Sequence, residues 1–231
     1  MKEDIPHKRE IKSYVRRVSR MTPRQKRGME ALWPRFGVEY DASPLNLDLL
    51  FERSAPKNVE IGFGMAENLI AVASTHPQED FIGIEVHTPG VGHALNEIEE
   101  KKLTNVRLIQ HDAVEVLKHQ IPNHSLNSIS IFFPDPWHKK KHNKRRLIND
   151  EFCALLATKL QKNGKVYLAT DWEDYAVQML KVFNRTEHFE NQSPNGTYCE
   201  RMDFRPLTKF ESRGHRLGHN TWDLIFKLRS L

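Results

Sequence analysis

The stretch Val59-Glu60-Ile61-Gly62-Phe63-Gly64-Met65-Ala66-Glu67 decides the fold. A short β-branched run ends there in two glycines, and a helical pattern follows. A second β-branched run over 81–86 contains Glu85, 21 residues after Gly64. Glycines let the backbone approach a ligand closely, and an acid ending the second strand can accept hydrogen bonds from both ribose hydroxyls. The stretch therefore predicts a nucleotide-binding βαβ unit with Gly62 and Gly64 at the cofactor.

The same alternation of β-branched runs and helical patterns continues along the chain, which is typical of a parallel sheet covered by helices. The predicted strands are 57–61, 81–86, 106–110, 128–133 and 165–170, and the predicted helices are Ala66–Ser74, Val91–Leu103, Ala113–His119, Glu151–Leu160 and 172–183. Two later strands, Tyr198–Arg205 and Thr221–Leu228, have no helix between them and are expected to pair antiparallel. The sequence thus predicts an α/β fold with a doubly wound, seven-stranded, mostly parallel sheet.

Glu67 distinguishes two classes of cofactor for the βαβ unit. In dinucleotide-binding units this position is a small residue near the pyrophosphate, and a carboxylate there would repel phosphate. S-adenosylmethionine has no phosphate and carries a sulfonium and an ammonium, so Glu60, Glu67 and Glu85 favour it electrostatically. Glu67 can also act only by stabilising the start of its helix. Asp112, after the third predicted strand, is expected to accept from the adenine amino group, to cap the helix at Ala113, or both.

The most unusual stretch is Pro134-Asp135-Pro136-Trp137-His138, followed by a basic run, Lys139 to Arg146, with six Lys/Arg in eight residues. The prolines stiffen the loop and hold Asp135 where cofactor and substrate should meet. A basic run beside a methyl donor favours a nucleic-acid acceptor, with Asp135 contacting a base edge. Guanine suits such an acid because its N1–H and amino group are donors, and its N7 lone pair needs no prior deprotonation. Asp135 would act by positioning the base and offsetting developing charge.

Three other interpretations of the protein's function stay open. Enzymes that methylate exocyclic amines commonly carry an Asn or Asp followed by two prolines and an aromatic residue, and Asp135-Pro136-Trp137 lacks the second proline. A methyltransferase for ribosomal RNA and a non-catalytic RNA-binding protein would show the same basic run. Two histidine pairs, His138/His142 and His215/His219, have a spacing of four, but neither pair has an obvious third ligand, so no metal site is predicted.

The composition indicates the broad class of protein, and the distribution of charge suggests a basic N-terminal arm. The 231 residues are 39% hydrophobic with a mean hydropathy of -0.63, and no apolar run approaches the roughly 18 residues of a membrane span. Two cysteines offer no disulfide framework, so a cytoplasmic location is expected. Residues 1–36 carry eleven Lys/Arg and four acids, a net +7, whereas residues 37–231 carry 24 and 26. We predict a mobile, basic arm over 1–36 and a catalytic domain over 37–231.

Motifs along nearly the whole chain carry a family resemblance: Arg20-Met21-Thr22, Trp33-Pro34-Arg35-Phe36-Gly37, Glu60-Ile61-Gly62-Phe63-Gly64, Gly83-Ile84-Glu85-Val86-His87, Phe133 to Arg146, Thr170-Asp171 and Thr208-Lys209-Phe210-Glu211. They resemble those of the bacterial single-subunit tRNA (guanine-N7-)-methyltransferases. The resemblance implies a Rossmann-like class I methyltransferase fold and methylation of N7 of guanine 46 in the tRNA variable loop. Ala66 departs from the pattern, because many relatives have a third glycine there.

The resemblance also implies roles for individual residues. Contacts to S-adenosylmethionine are implied for Glu60, Glu85, Asp112 and Asp135, and catalysis for Asp135. Binding of the substrate nucleotide is implied for Lys139, Asp171, Thr208, Lys209, Phe210 and Glu211. Binding of RNA is implied for Lys141, His142, Asn143, Lys144, Arg145 and Arg146. The expected partner is tRNA, with no obligate protein partner.

Overall fold

A computed structural model describes residues 12–14, 20–207, 211 and 220–229. The strands of this part of the chain are β1 Gly37–Val38, β2 Lys57–Ile61, β3 Asp80–Ile84, β4 Val106–Ile109, β5 Leu126–Phe132, β6 Leu160–Thr170, β7 Phe189–Asn191 and β8 Trp222–Leu228. The helices are α1 Pro23–Phe36, α2 Leu47–Phe51, α3 Glu67–Thr75, α4 Thr88–Glu100, α5 Ala113–His119, α6 Asp150–Lys159 and α7 Glu173–Arg185, with a 3₁₀ helix over Lys140–Arg145.

The sheet has the order β1-β4-β3-β2-β5-β6-β8-β7. The first six strands in this order are parallel to one another, β8 pairs antiparallel with β6, and β7 pairs antiparallel with β8. The predicted doubly wound α/β fold is therefore confirmed, with eight strands among the described residues instead of seven. Two strands were not predicted: β1, whose two residues pair with Leu108 and Ile109 of β4, and β7, which pairs with β8. Strand order reverses between β2 and β5, which is where such sheets bind their ligands.

The predicted strand Tyr198–Arg205 is wrong. Cys199 makes only an isolated bridge to Asp223, and Arg205 closes a turn by donating from its backbone N–H to the Met202 carbonyl oxygen. The described antiparallel neighbours of β8 are β6 and the short strand β7, so this part of the chain passes alongside the sheet as a loop.

Part of the predicted arm is a packed helix. Thr22 and Gln25 form a capping box at the start of α1, with each side chain accepting from the other's backbone N–H. α1 lies close against α4, where a Cβ on Gly28 would be 2.8 Å from the Gly92 carbonyl oxygen. Residues 23–36 therefore belong to the body. Residues 1–11 and 15–19, with the mobility expected of them, lie outside the described residues.

The sheet buries a different apolar cluster on each face because successive side chains of a strand point in opposite directions. Ile61 of β2 packs in the cluster that contains Leu117 of α5 and Phe152 of α6. Leu108 of β4 packs in the other cluster, with Leu69 of α3. Within the described part of the chain, every helix is too short or too polar to cross a membrane.

Candidate active site

A cavity of about 500 Å³ opens at the carboxyl ends of β2, β3, β4 and β5, at the reversal of strand order. Its walls are mainly apolar, with Ile61, Ile84 and Ile131 from three neighbouring strands. The carboxylates on its lining are Glu85, Asp112 and Asp135. An apolar pocket of this size with a few convergent acids is typical of a small-molecule site.

The loop after β2 forms one wall of this cavity. Gly62 and Gly64 have φ values of +70° and +54°, which glycine adopts without strain. The Gly62 N–H donates to the Ile84 carbonyl oxygen at 2.8 Å, and the Gly64 N–H donates to Glu85 Oε2 at 2.9 Å. Ala66 has a φ of +62°, which costs a non-glycine residue about 1 kcal/mol. A third glycine here, as in the resemblance, would remove that strain.

Glu85 and Asp112 are buried acids whose oxygens are already partly engaged. Glu85 Oε1 accepts from the backbone N–H groups of Val86 at 2.6 Å and His87 at 2.9 Å. Asp112 Oδ1 accepts from the Val114 N–H at 3.0 Å, so Asp112 does cap α5. Asp112 Oδ2 pairs with Lys12 Nζ at 3.0 Å. Both carboxylates are thus held in place at the cavity wall.

Glu60 lies on the opposite face of β2 and does not line this cavity. It lines a second cavity of about 180 Å³ beside α3, and its Oε2 accepts from Asn68 Nδ2 at 2.6 Å. Burial raises the pKa of Glu60 to about 7, although the Asn68 hydrogen bond acts in the other direction. The alternation of side chains along β2 explains the separation, because Ile61 is the residue that faces the main cavity.

Asp135 is exposed and belongs to a loop with two backbone outliers. Phe133 and Trp137 have φ values of +50° and +47°, and neither is glycine. The Phe133 N–H donates to the Ala169 carbonyl oxygen at 2.8 Å, which ties the loop's entry to β6. Such strained positions persist only where the surroundings fix them, and they concentrate at functional sites.

The basic run divides into exposed and engaged residues. Exposed side chains are those of Lys139, Lys140, Lys141 and Lys144, while His142 and Asn143 are half-buried. Arg145 stacks 4.0 Å above the Trp137 ring and donates to the Lys12 carbonyl oxygen at 3.1 Å. Arg146 is 2% exposed, so its predicted RNA contact has no accessible surface. The four lysines form an accessible cationic surface next to Asp135.

Sequence reasoning missed a segment that covers the cavity. Ser13 and Tyr14 line it, and the Ser13 carbonyl oxygen accepts from Trp137 Nε1 at 2.9 Å. Tyr40 stacks on His111, another lining residue, with 3.7 Å between ring centroids. The prediction for residues 1–36 rested on their positive charge. Net charge does not indicate that a backbone carbonyl oxygen of this segment would bond to the Asp135 loop.

The residues predicted to bind the substrate nucleotide differ in exposure, and some lie outside the described residues. Asp171 is exposed directly after β6, and the next residue, Trp172, is the N-cap of α7. Thr208, Lys209 and Phe210 lie outside the described residues. Glu211 is 4% exposed and accepts from both terminal nitrogens of Arg205, at 2.7 and 2.8 Å. Glu211 is therefore engaged in a buried ion pair that the motif did not reveal.

The histidines of the loop pack against tryptophans. The His138 ring lies 4.1 Å from that of Trp172, and the His142 ring lies 6.0 Å from that of Trp137. Across the described ranges, no group of three or more potential ligands is arranged to hold a metal ion. His215 and His219 lie outside those ranges.

Comparison with known proteins assigns the chain to a family. A family model described as "Putative methyltransferase" matches residues 54–224. A tRNA (guanine-N(7)-)-methyltransferase of Aeromonas hydrophila is 52% identical over 225 residues, covering 97% of this chain and 95% of the relative. One from Nitrosospira multiformis is 50% identical over 227 residues, covering 98% of both chains. The chain belongs to the tRNA (guanine-N(7)-)-methyltransferase family.

Solved structures support the fold of this tRNA (guanine-N(7)-)-methyltransferase family member. The crystal structure of the 16S rRNA methyltransferase KamB matches with a TM-score of 0.60 and 12% identity, covering 84% of this chain and 95% of that one. The precorrin-6y C5,15-methyltransferase of Geobacter metallireducens matches with a TM-score of 0.51 and 13% identity, covering 76% and 81%. At these identities the similarity shows the Rossmann-like methyltransferase fold alone.

In this member of the family, the fold brings together most of the residues predicted at the cofactor. The residues that meet at one cavity or its glycine loop are Gly62, Gly64, Glu85, Asp112 and Asp135. Glu60 lies apart from them in the second cavity. The arrangement can hold a small polar ligand with acceptors at its wall, and can present that ligand beside a cationic surface.

Proposed function

We propose that this protein transfers a methyl group from S-adenosylmethionine to N7 of guanine 46 in the variable loop of tRNA. The observation that carries the proposal is the position of Asp135, which lines the cavity and is followed within four residues by exposed lysines. Membership of the tRNA (guanine-N(7)-)-methyltransferase family supports the activity and the substrate. The position in the variable loop is what the resemblance of the motifs implies.

The residues of the cavity suit S-adenosylmethionine in size and chemistry. A volume of about 500 Å³ is in the range of small-molecule pockets. Glu85 was predicted to accept from both ribose hydroxyls, but it already accepts three backbone hydrogen bonds, which leaves one of its roughly four acceptor positions for a ribose hydroxyl. Asp112 Oδ2 can accept the adenine amino group in place of Lys12. When bound, S-adenosylmethionine supplies the electrophilic methyl group of its sulfonium.

Asp135 would act on the guanine. Its carboxylate is exposed at the cavity, so it can accept from the guanine N1–H and amino group. N7 needs no base, and Asp135 would therefore hold the ring in line and offset the positive charge that develops on it. Asp171 would contact the same nucleotide. β5 and β6 pair in parallel at Phe132 and Ala169, so Asp135 and Asp171, which follow these strands, lie at the same edge of the sheet.

The remaining residues would hold the RNA. Lys139 is proposed to bind the substrate nucleotide. The proposed RNA contacts are Lys140, Lys141, His142, Asn143, Lys144 and Arg145, of which the lysines and the arginine can neutralise tRNA phosphates. Glu211 would act through Arg205, which anchors it and also bonds Asp223 of β8 at 3.1 Å. That ion pair fixes one end of the 208–211 motif, whose other three residues are proposed to contact the nucleotide.

The test is a methylation assay with an unmodified tRNA transcript and labelled S-adenosylmethionine. We expect 7-methylguanosine by mass spectrometry of digested tRNA, and chain cleavage specific for that base at position 46. Asp135→Asn should lower the rate constant at saturating substrates by about 100-fold, since preorganised electrostatic stabilisation has effects of that size. Asp41→Asn, on an exposed loop, is the matched control.

Four outcomes would contradict separate parts of the proposal. Absence of 7-methylguanosine with the unaltered protein would refute the activity. Methylation at another guanine would refute position 46 only. Full activity of Asp135→Asn would refute the role of this acid, and calorimetry without S-adenosylmethionine binding would refute the cofactor.

A further inference from the structure

Arg146 differs from the other basic residues of the run. Of the six Lys/Arg between positions 139 and 146, all of which the structure describes, it is the one that is buried, with 2% of its surface exposed. Lys144, two residues earlier, is exposed. A phosphate cannot reach a side chain buried to this extent without a rearrangement of the loop.

The guanidinium of Arg146 joins the Asp135 loop to α7. Its Nε donates to the Pro136 carbonyl oxygen at 2.8 Å. Nη1 donates to Gln178 Oε1 at 2.7 Å, and Nη2 donates to Asp174 Oδ2 at 2.6 Å. The group also lies 4.8 Å from the Tyr175 ring centroid. Every nitrogen of the guanidinium is thus directed at the loop or at α7.

The loop needs such a donor. Pro134 and Pro136 have no N–H groups, so the segment around Asp135 is anchored mainly through its carbonyl oxygens. Phe133 and Trp137, on either side, adopt left-handed conformations that are strained for residues other than glycine. The Phe133 N–H holds the entry to the loop. Arg146 holds its exit, at the residue directly after Asp135.

We propose that Arg146 is a positioning residue for Asp135 and not an RNA contact. By bonding Pro136 to α7, it fixes where the Asp135 carboxylate lies relative to the cavity. The inference rests on the proposed function and deepens it, since it names the residue that orients the proposed catalytic acid. It predicts an effect on the chemical step and none on phosphate binding.

The experiment compares Arg146→Gln, Arg146→Lys, Lys144→Gln and Arg185→Gln in the methylation assay and in tRNA binding over a range of salt. Arg146→Gln should lower kcat by about 10- to 100-fold, since a misplacement of about 1 Å has effects of that order. Its tRNA affinity and salt dependence should match the unaltered protein, and Arg146→Lys should recover part of kcat. Lys144→Gln should reduce the salt slope by about one. Arg185, the last residue of α7, forms an exposed ion pair with Asp150 of α6, and Arg185→Gln should change neither kcat nor the salt slope.

A structural readout accompanies the assay. Hydrogen exchange of residues 133–139 should be faster in Arg146→Gln and unchanged in Arg185→Gln. If Arg146→Gln does not fold, Asp174→Asn serves instead, since it weakens only one bond of Arg146 and should lower kcat less, again with unchanged tRNA affinity.

Two results would overturn the inference. A loss of tRNA affinity with a salt slope reduced by about one would make Arg146 an RNA contact. A kcat equal to that of the unaltered protein, with unchanged exchange, would remove its positioning role. The proposed function fails separately, if the unaltered protein forms no 7-methylguanosine, and hydrogen exchange still tests the Arg146 contact in that case.

Discussion

Glu60 is a buried acid that should make the stability of the fold depend on pH. Its pKa of about 7 lies above the ordinary value of 4.5, because burial disfavours the charged form. Between these pH values the folded protein holds a proton that the unfolded chain has released. The free energy of unfolding therefore falls as the pH rises from 4.5 to 7, by about 3 kcal/mol at most.

Glu60→Gln removes this titration while keeping an oxygen that can accept from Asn68. We expect the variant to gain stability relative to the unaltered protein as the pH rises from 5 to 8, measured by urea unfolding at each pH. Glu67→Gln, on an exposed side chain of α3, is the control. A stability difference that stays constant with pH would contradict the elevated pKa.

Residue identities were easier to predict than residue partners. Gly62, Gly64 and Glu85 follow from the spacing of one βαβ unit, and the structure brings them together at the cavity. The buried pairing of Glu211 with Arg205 has no periodic signal, since it depends on how a loop folds back on β8. Arg146 was hidden for another reason: within a basic run, the sequence does not show which cation turns inward.

Two glycines of α4 illustrate how elements are held at contact distance. A Cβ on Gly90 would lie 2.1 Å from the Gly64 carbonyl oxygen, and one on Gly92 would lie 2.6 Å from the Gln25 carbonyl oxygen. Both distances are shorter than a van der Waals contact, so backbone must move in either alanine variant. Gly90→Ala displaces the loop after β2, whereas Gly92→Ala displaces α1.

The two alanine variants should therefore separate cofactor binding from stability. We expect Gly90→Ala to weaken S-adenosylmethionine binding about tenfold or more by calorimetry. Gly92→Ala should lower the free energy of unfolding by about 1–3 kcal/mol, the usual effect of overpacking, with a smaller change in binding. Equal effects of the two variants on both measurements would show that α1, α4 and the glycine loop move as one unit.

The elements that the sequence predicted well have strong local signals. The strand 57–61 and the helix Ala113–His119 have the predicted bounds, the latter because Asp112 supplies a cap. β1 and β7, with two and three residues, are too short to show a pattern. α1 was missed although Thr22 and Gln25 have capping-box spacing, because the positive charge around them suggested an unstructured arm.

At the scale of the molecule, positive charge collects at the edge of the sheet where the cavity opens. Lys140, Lys141 and Lys144 are exposed there. Lys101, Lys102 and Lys162 are exposed toward the opposite edge, at the end of α4 and the start of β6. The formal net charge of +5 becomes +2 when either set of three is neutralised. Comparing the two sets therefore separates the effect of positive charge at the cavity edge from the effect of the protein's net charge.

Replacing the first set with glutamine should reduce the slope of log K against log salt for tRNA binding by about three, because each phosphate contact contributes close to one. Replacing the second set should leave the slope nearly unchanged. The measurement is filter binding of a tRNA transcript at several salt concentrations. Equal reductions would mean that net charge, and not this edge, attracts the RNA.

The outer margins of the sheet have a consequence for the protein in a crowded solution. An exposed strand offers unpaired N–H and C=O groups to which another chain can add, and proteins limit this hazard with very short edge strands. The outermost described strands are β1 and β7, of two and three residues. At these two strands, few unpaired backbone N–H and C=O groups are available for hydrogen bonds to a second chain. Edge-to-edge aggregation is disfavoured by strand length itself, so the protein can remain dispersed without charges placed along its sheet margins.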